Sequence, residues 1–137
     1  MKSPEEILPE LRLLAGEAAK LAYAPYSHFQ VGAALRFDDG WTVTGCNVEN
    51  LSYGLTNCAE RNAVFRAISE RGAGPKIVAI AVTNTEGTMC APCGACRQVL
   101  HEFAAADAVI TYRMDGGWAT RPFHELLPDA FVMAAKG

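Results

Sequence analysis

Apolar positions in the first segment recur at helical spacing, at Leu11, Leu14, Ala15, Ala18, Leu21 and Ala22. That period predicts a helix from about Glu6 to Tyr23. Ser3-Pro4-Glu5-Glu6 ahead of it has the form of a capping box, while Pro9 leaves the position of the first turn open. Tyr23 to Gln30, YAPYSHFQ, reads as a loop rich in aromatics. Val31 to Phe37 and Trp41 to Val48 flank Asp38-Asp39-Gly40, which predicts a hairpin. Asn47 to Asn57 carries scattered Gly and Asn and reads as irregular. Ala59 to Glu70 places Ala63, Val64, Ala67 and Ile68 on one helical face, with Arg71-Gly72 as the stop.

Lys76 to Thr83, KIVAIAVT, changes the pattern. It is nearly all apolar and β-branched, as expected for a strand buried on both faces in the middle of a sheet. Cys93 to Ala105 then reads as a helix and Ala108 to Tyr112 as a strand. Ala119 to Val132 reads as a short mixed segment. Helix, hairpin, helix, strand, helix, strand is the order of a mixed sheet with helices packed on it, a three-layer α/β domain.

Composition narrows what such a domain can do. At 137 residues the chain is expected to form one domain, spanning 1–137, with a core large enough to need no disulfide staples. Half the residues are hydrophobic and the formal net charge is -3. No basic run or Lys/Arg stripe is present, so a nucleic-acid polymer is not the expected partner. No apolar run reaches the length of a membrane span. The opening MKSPEEILPELRLL carries acids where a signal peptide needs a basic start, so the expected location is the cytoplasm, where thiols stay reduced.

Five cysteines, Cys46, Cys58, Cys90, Cys93 and Cys96, are an odd number in a reducing compartment and argue against a disulfide framework. Pro92-Cys93-Gly94-Ala95-Cys96 lies at the mouth of a predicted helix. Cysteines three apart in a first helical turn bring their sulfurs to one side, and the N–H groups there favour thiolates. Cys58 opens the preceding predicted helix. Two helices starting at one edge of a sheet would present three sulfurs to a single ion. Three soft ligands suit zinc, and three rather than four keep a position for water, as in a catalytic site. Glu60, two residues beyond Cys58, can reach that water, whose pKa zinc lowers to roughly 7.

A redox pair or plain packing at Cys93 and Cys96 is the alternative, but it leaves Cys58 and Glu60 unexplained. A structural zinc would need a fourth ligand, and His28, His101, His124, Cys46 and Cys90 have no obvious ligand spacing.

Cys58-Ala59-Glu60 with Pro92-Cys93-Gly94-Ala95-Cys96 matches the three-cysteine form of the zinc-deaminase signature. PYSHFQVGAAL, GCNVENLSYGLTNCAERNAV, PCGACRQVL and ELLPDAF extend the likeness along nearly the whole chain. In that order they resemble the small, homotetrameric cytidine deaminases. The resemblance implies a three-layer α-β-α fold with a mixed sheet of about five strands and helices on both faces. It implies one zinc per chain held by Cys58, Cys93 and Cys96, with Glu60 as the proton shuttle. Asn47 and Glu49 match the pair that holds the ribose hydroxyls, Phe29 an aromatic packed near the base, and Ala59 a further substrate contact. Phe131 matches a C-terminal Phe that reaches a neighbouring subunit's base, and Arg61 an arginine that hydrogen-bonds the zinc thiolates. Leu51 stands where many members have Ala, and Ala91 where Ser is common. Cys90 adds a thiol beside the site.

The implied activity is hydrolysis of cytidine and 2′-deoxycytidine to the uridine forms with release of ammonia, a pyrimidine-salvage reaction, in a homotetramer with shared active sites. An anion at Glu49 would repel a phosphate, which favours a free nucleoside. The rivals are a deaminase of a modified cytosine nucleoside of the blasticidin type and a zinc or redox module without turnover. Asn47-Val48-Glu49 counts against the first.

Overall fold

The computed structural model describes residues 2–132. The first helix, α1 (Pro4–Ala19), starts earlier than its apolar period does. Ser3 and Glu6 make both bonds of the capping box, Glu6 N–H to Ser3 Oγ and Ser3 N–H to Glu6 Oε1, at 3.3 Å each. Pro9 is accommodated inside the helix. It forfeits one bond to the carbonyl of Glu5, and both residues lie on the exposed side where water can replace it. The helix also ends before Tyr23. Tyr23 donates its N–H to Asn47 O (3.0 Å) and accepts that of Glu49 (2.9 Å), a bridge to the middle of the chain that outcompetes another helical turn.

The hairpin forms as predicted, from β1 (Val31–Phe37) and β2 (Thr42–Cys46), with Gly40 at φ 89 in the turn. After a short 3₁₀ turn at Tyr53–Leu55 come α2 (Ala59–Arg71), β3 (Ile77–Asn84) and α3 (Gly94–Phe103). The chain closes with β4 (Ala104–Met114), β5 (Gly117–Pro122) and a 3₁₀ turn at Phe123–Leu126. β4 is longer than its apolar stretch, because its first residues run exposed beyond the core. β5 was not separable as a strand from the sequence. It lies at the sheet edge and buries no residue fully, so no alternation marks it; its register on β4, with Trp118 opposite Arg113, holds it.

The five strands lie in the order β2-β1-β3-β4-β5. Only β3 and β4 run parallel, with α3 as the connection between them. Helices cover both faces, giving the three layers expected. On the α2 and α3 face the strands present large side chains, among them Leu35, Phe37, Ile80, Val82, Ile110 and Tyr112. On the α1 face they present Ala34, Ala79, Ala81 and Val109 to Ile7, Leu8, Leu11 and Ala15. Small strand residues let α1 lie close to the sheet.

One glycine does the same for α2. A Cβ on Gly45 would stand 2.5 Å from Ala63 N and 2.7 Å from Ala59 O, so only glycine lets the first turns of α2 rest on β2. That contact fixes where the residues following Cys58 sit.

β1 begins, β2 ends and β3 ends at one edge of the sheet, since Gly32 pairs with Cys46 and Val31 with Asn84. α3 starts beyond the same end of β3. The chain thereby gathers at one edge the segments in which the chemistry was expected.

Candidate functional site

Cys58 and Cys93 occupy the N-cap positions of α2 and α3. Both have extended backbones, and their carbonyls accept the first helical bonds, from Asn62 N (3.0 Å) and Arg97 N (2.9 Å). Neither sulfur is spent on capping its own helix. Cys96 lies one turn into α3 and is fully buried, and the Sγ atoms of Cys58, Cys93 and Cys96 all fall within 4.8 Å of one another. Three converging thiols at two helix N-termini are a donor set suited to zinc, and these residues would hold it.

The surroundings also fit an ion carried by thiolates. Arg61 Nη2 donates to Cys58 Sγ at 3.3 Å, and the buried Arg61 Nε has no partner of its own. A guanidinium there offsets the negative charge that three thiolates accumulate. Hydrogen bonding from Cys96, and then from Arg61, draws the Cys58 thiol down to about 5. Cys96, as the donor to that sulfur, is pushed up.

Glu60, in the first turn of α2, is only 4% exposed. Burial raises its carboxyl to about 7, and the charge at Cys58 adds to the effect. A carboxyl poised there can both accept and return a proton near neutral pH. Pro92, the residue before Cys93, is held by Arg97, whose Nε donates to Pro92 O at 2.7 Å while Nη1 reaches Leu126 O at 3.0 Å. This strut was missed in the sequence. Nothing local distinguishes Arg97 from a solvated helix-face cation.

A cavity of about 420 Å³ opens over the sulfurs. Phe29, Asn47, Glu49, Cys58, Ala59, Glu60 and Cys93 all line it. The fold therefore brings together every expected site residue but Phe131, seven of them lining this cavity. Cys96 lies beneath as the third sulfur and Arg61 behind Cys58. Phe131 stands apart: it is 70% exposed and shares a surface groove with Gln98, His101, Glu102 and Val132. His101 is thus turned away from the thiols. Cys90 lines the cavity but is not among the three grouped sulfurs.

Asn47 and Glu49 are already engaged with the chain. Asn47 Nδ2 donates to Phe29 O (2.9 Å), and its Oδ1 accepts Val31 N–H at 2.8 Å. Glu49 accepts from Tyr26, Ser27 and the Ser27 hydroxyl, which hold its carboxyl below the usual range. Ser27, Thr56 and Met89 are further cavity-lining residues that the sequence did not single out.

The chain matches the family model described as the cytidine and deoxycytidylate deaminase zinc-binding region over residues 7–112. It is 50% identical over 117 residues to a cytidine deaminase of Halalkalibacterium halodurans, covering 85% of this chain and 87% of that protein. A cytidine deaminase of Mycobacterium tuberculosis is 49% identical over 121 residues, covering 88% and 86%. Among solved structures, the cytidine deaminase of Burkholderia pseudomallei superposes with a TM-score of 0.82 at 46% identity, covering 90% of this chain and 98% of that one.

Proposed function

This chain belongs to the cytidine deaminase family, and from that premise we propose that it hydrolyses cytidine and 2′-deoxycytidine to uridine and 2′-deoxyuridine, releasing ammonia. The observation that carries this reading is the convergence of three cysteine sulfurs beside a buried carboxyl at the floor of a cavity of nucleoside size. When bound by Cys58, Cys93 and Cys96, zinc supplies a Lewis acid that lowers the pKa of water toward 7.

The remaining work belongs to the side chains. Glu60 removes a proton from the water that attacks C4 of cytosine and delivers it to N3. It then takes the proton of the hydroxyl added at C4 and hands it to the C4 amino group, so that the C4 carbonyl forms as the C4–N bond breaks and ammonia departs. The balance is one water consumed and one ammonia released. Its raised pKa suits both directions of transfer. Phe29 and Ala59 pack against the base. Asn47 and Glu49 face the sugar, where a carboxylate accepts hydroxyl hydrogen bonds and repels a phosphate. Arg61 keeps Cys58 in its thiolate form. The whole chain serves as one catalytic domain.

Loss of cytidine's ultraviolet band, with one zinc per chain, tests the reading. Glu60→Gln should keep zinc and lose about 10²- to 10⁴-fold in kcat, the share that general acid–base catalysis contributes. Near-normal turnover in that variant would sink the proton-shuttle role.

We further infer a homotetramer in which Phe131 of each chain completes a neighbouring copy's site. Its exposure, and its place in a groove separate from the cavity over its own chain's sulfurs, favour that use. Light scattering on the active enzyme should give four chains per particle; a fully active monomer would remove this part. The reduced thiols suit the cytoplasm and a role in pyrimidine salvage, and recovery of the enzyme outside that compartment on cell fractionation would contradict it.

A further inference from the structure

The loop between α1 and β1 is folded around the carboxylate of Glu49. Oε1 accepts the N–H groups of Tyr26 at 3.0 Å and Ser27 at 3.1 Å. Oε2 accepts the Ser27 hydroxyl. The same Ser27 oxygen accepts the N–H of Phe29 at 3.0 Å. Between them His28 takes φ 60, a left-handed conformation uncommon for a residue with a side chain, and its N–H closes on Ala24 O at 2.9 Å. Beyond Phe29 the chain is gripped by Asn47. The loop is therefore pinned on both sides of one hydroxyl.

We propose that Ser27 is a positioning residue for nucleoside recognition, its hydroxyl orienting the Glu49 carboxylate toward the sugar hydroxyls while fixing the backbone that carries Phe29. The proposal rests on the reading of Glu49 as the sugar-hydroxyl acceptor. A carboxylate offers about four lone-pair positions. Three are taken by this loop, and Glu49 lines the cavity over the sulfurs, so a sugar hydroxyl meets an acceptor whose direction is already set. With Ser27 Oγ removed, the carboxylate keeps only its Oε1 bonds and pivots about them. The N–H of Phe29 loses its acceptor at the same time. Ser27 couples the sugar end of the cavity to the base end through one atom.

The test compares cytidine with 2′,3′-dideoxycytidine, which lacks the 2′ and 3′ hydroxyls that Glu49 is read to accept, using zinc-loaded enzyme. In Ser27→Ala the ratio of kcat/KM for cytidine to that for the dideoxynucleoside should fall about tenfold, the factor one hydrogen bond to a charged acceptor commands. Most of the loss should lie in KM. Ser27→Thr, which keeps the hydroxyl, should restore the ratio. A purely structural role would lower both substrates together and leave the ratio unchanged, which would overturn the proposal. Glu49→Gln separates the two levels of inference. If it lowers the ratio and Ser27→Ala does not, the Ser27 role alone is wrong. If it leaves the ratio intact, the sugar-binding reading of Glu49 fails and the Ser27 proposal falls with it.

Discussion

The three α-helices begin with the same backbone and put it to different uses. Ser3 (φ -64, ψ 161), Cys58 (φ -74, ψ 158) and Cys93 (φ -69, ψ 170) are all extended N-cap residues. At α1 the side chain returns to the helix and closes a capping box. At α2 and α3 no side-chain cap bond forms, and the sulfurs turn to each other and to Cys96 instead. A side-chain cap is worth about 1 kcal/mol, so two are forgone where the site is built. The same corner also buries Glu60, a further cost in a metal-binding turn. The capped helix packs on the opposite face of the sheet, against small residues that let it approach closely. The α1 terminus is satisfied within its own first turn, whereas the α2 and α3 termini leave their sulfurs free for an ion.

Exchanging one side chain between these two uses gives the largest effect. Cys93→Ser supplies a hydroxyl that can cap α3 and removes a soft ligand. Zinc content should fall below stoichiometric and cytidine turnover with it by at least about 10²-fold, since two remaining thiols do not fill the site. Chelator-treated Cys93→Ser should nevertheless be more stable than the chelator-treated parent by about 0.5–1 kcal/mol, because the cap is now made. Urea melts of the two apo proteins would measure this. If the variant is less stable than its parent in that state, the uncapped terminus is not a stability cost and the contrast with α1 fails.

The difference between the termini also explains what could be read in advance. The cysteines were legible because a metal-binding turn is encoded locally: Cys93 and Cys96 are one turn apart, and Cys58 and Glu60 two residues apart. β3 was legible because a central strand carries an unbroken apolar run. β5 was not, since an edge strand answers to its partner rather than to its own pattern. The first helix was read too far, because Leu21 and Ala22 continue its period while Tyr23 is claimed by Asn47 and Glu49. Ser27 was invisible for the same reason. Its partner Glu49 lies 22 residues away, and only the pairing of loop with loop makes the serine different from any other turn residue. Contacts encoded in spacing were readable, whereas contacts made by long-range pairing required the fold.

The smallest effect belongs to the capped helix. Ser3→Ala removes the acceptor for Glu6 N–H while leaving Ser3 N–H to Glu6 Oε1 available to the new residue. Both bonds are long, at 3.3 Å, which puts the cost at the lower end of the capping range, about 0.5–1 kcal/mol. That corresponds to a fall in Tm of about 2–4 °C for a chain of this size. Ser3 shares its surroundings with Phe37 and Asp38, at the end of β1 away from the site edge. The first turn of α1 therefore has no path to the sulfurs except through the sheet. kcat/KM for cytidine and zinc content should match the parent at temperatures below both transitions. If Ser3→Ala instead lost zinc in proportion to stability, the two faces would unfold as one unit already under native conditions. The contrast between one capped terminus and two that gather the sulfurs would then be one of geometry only, without a matching division in energy.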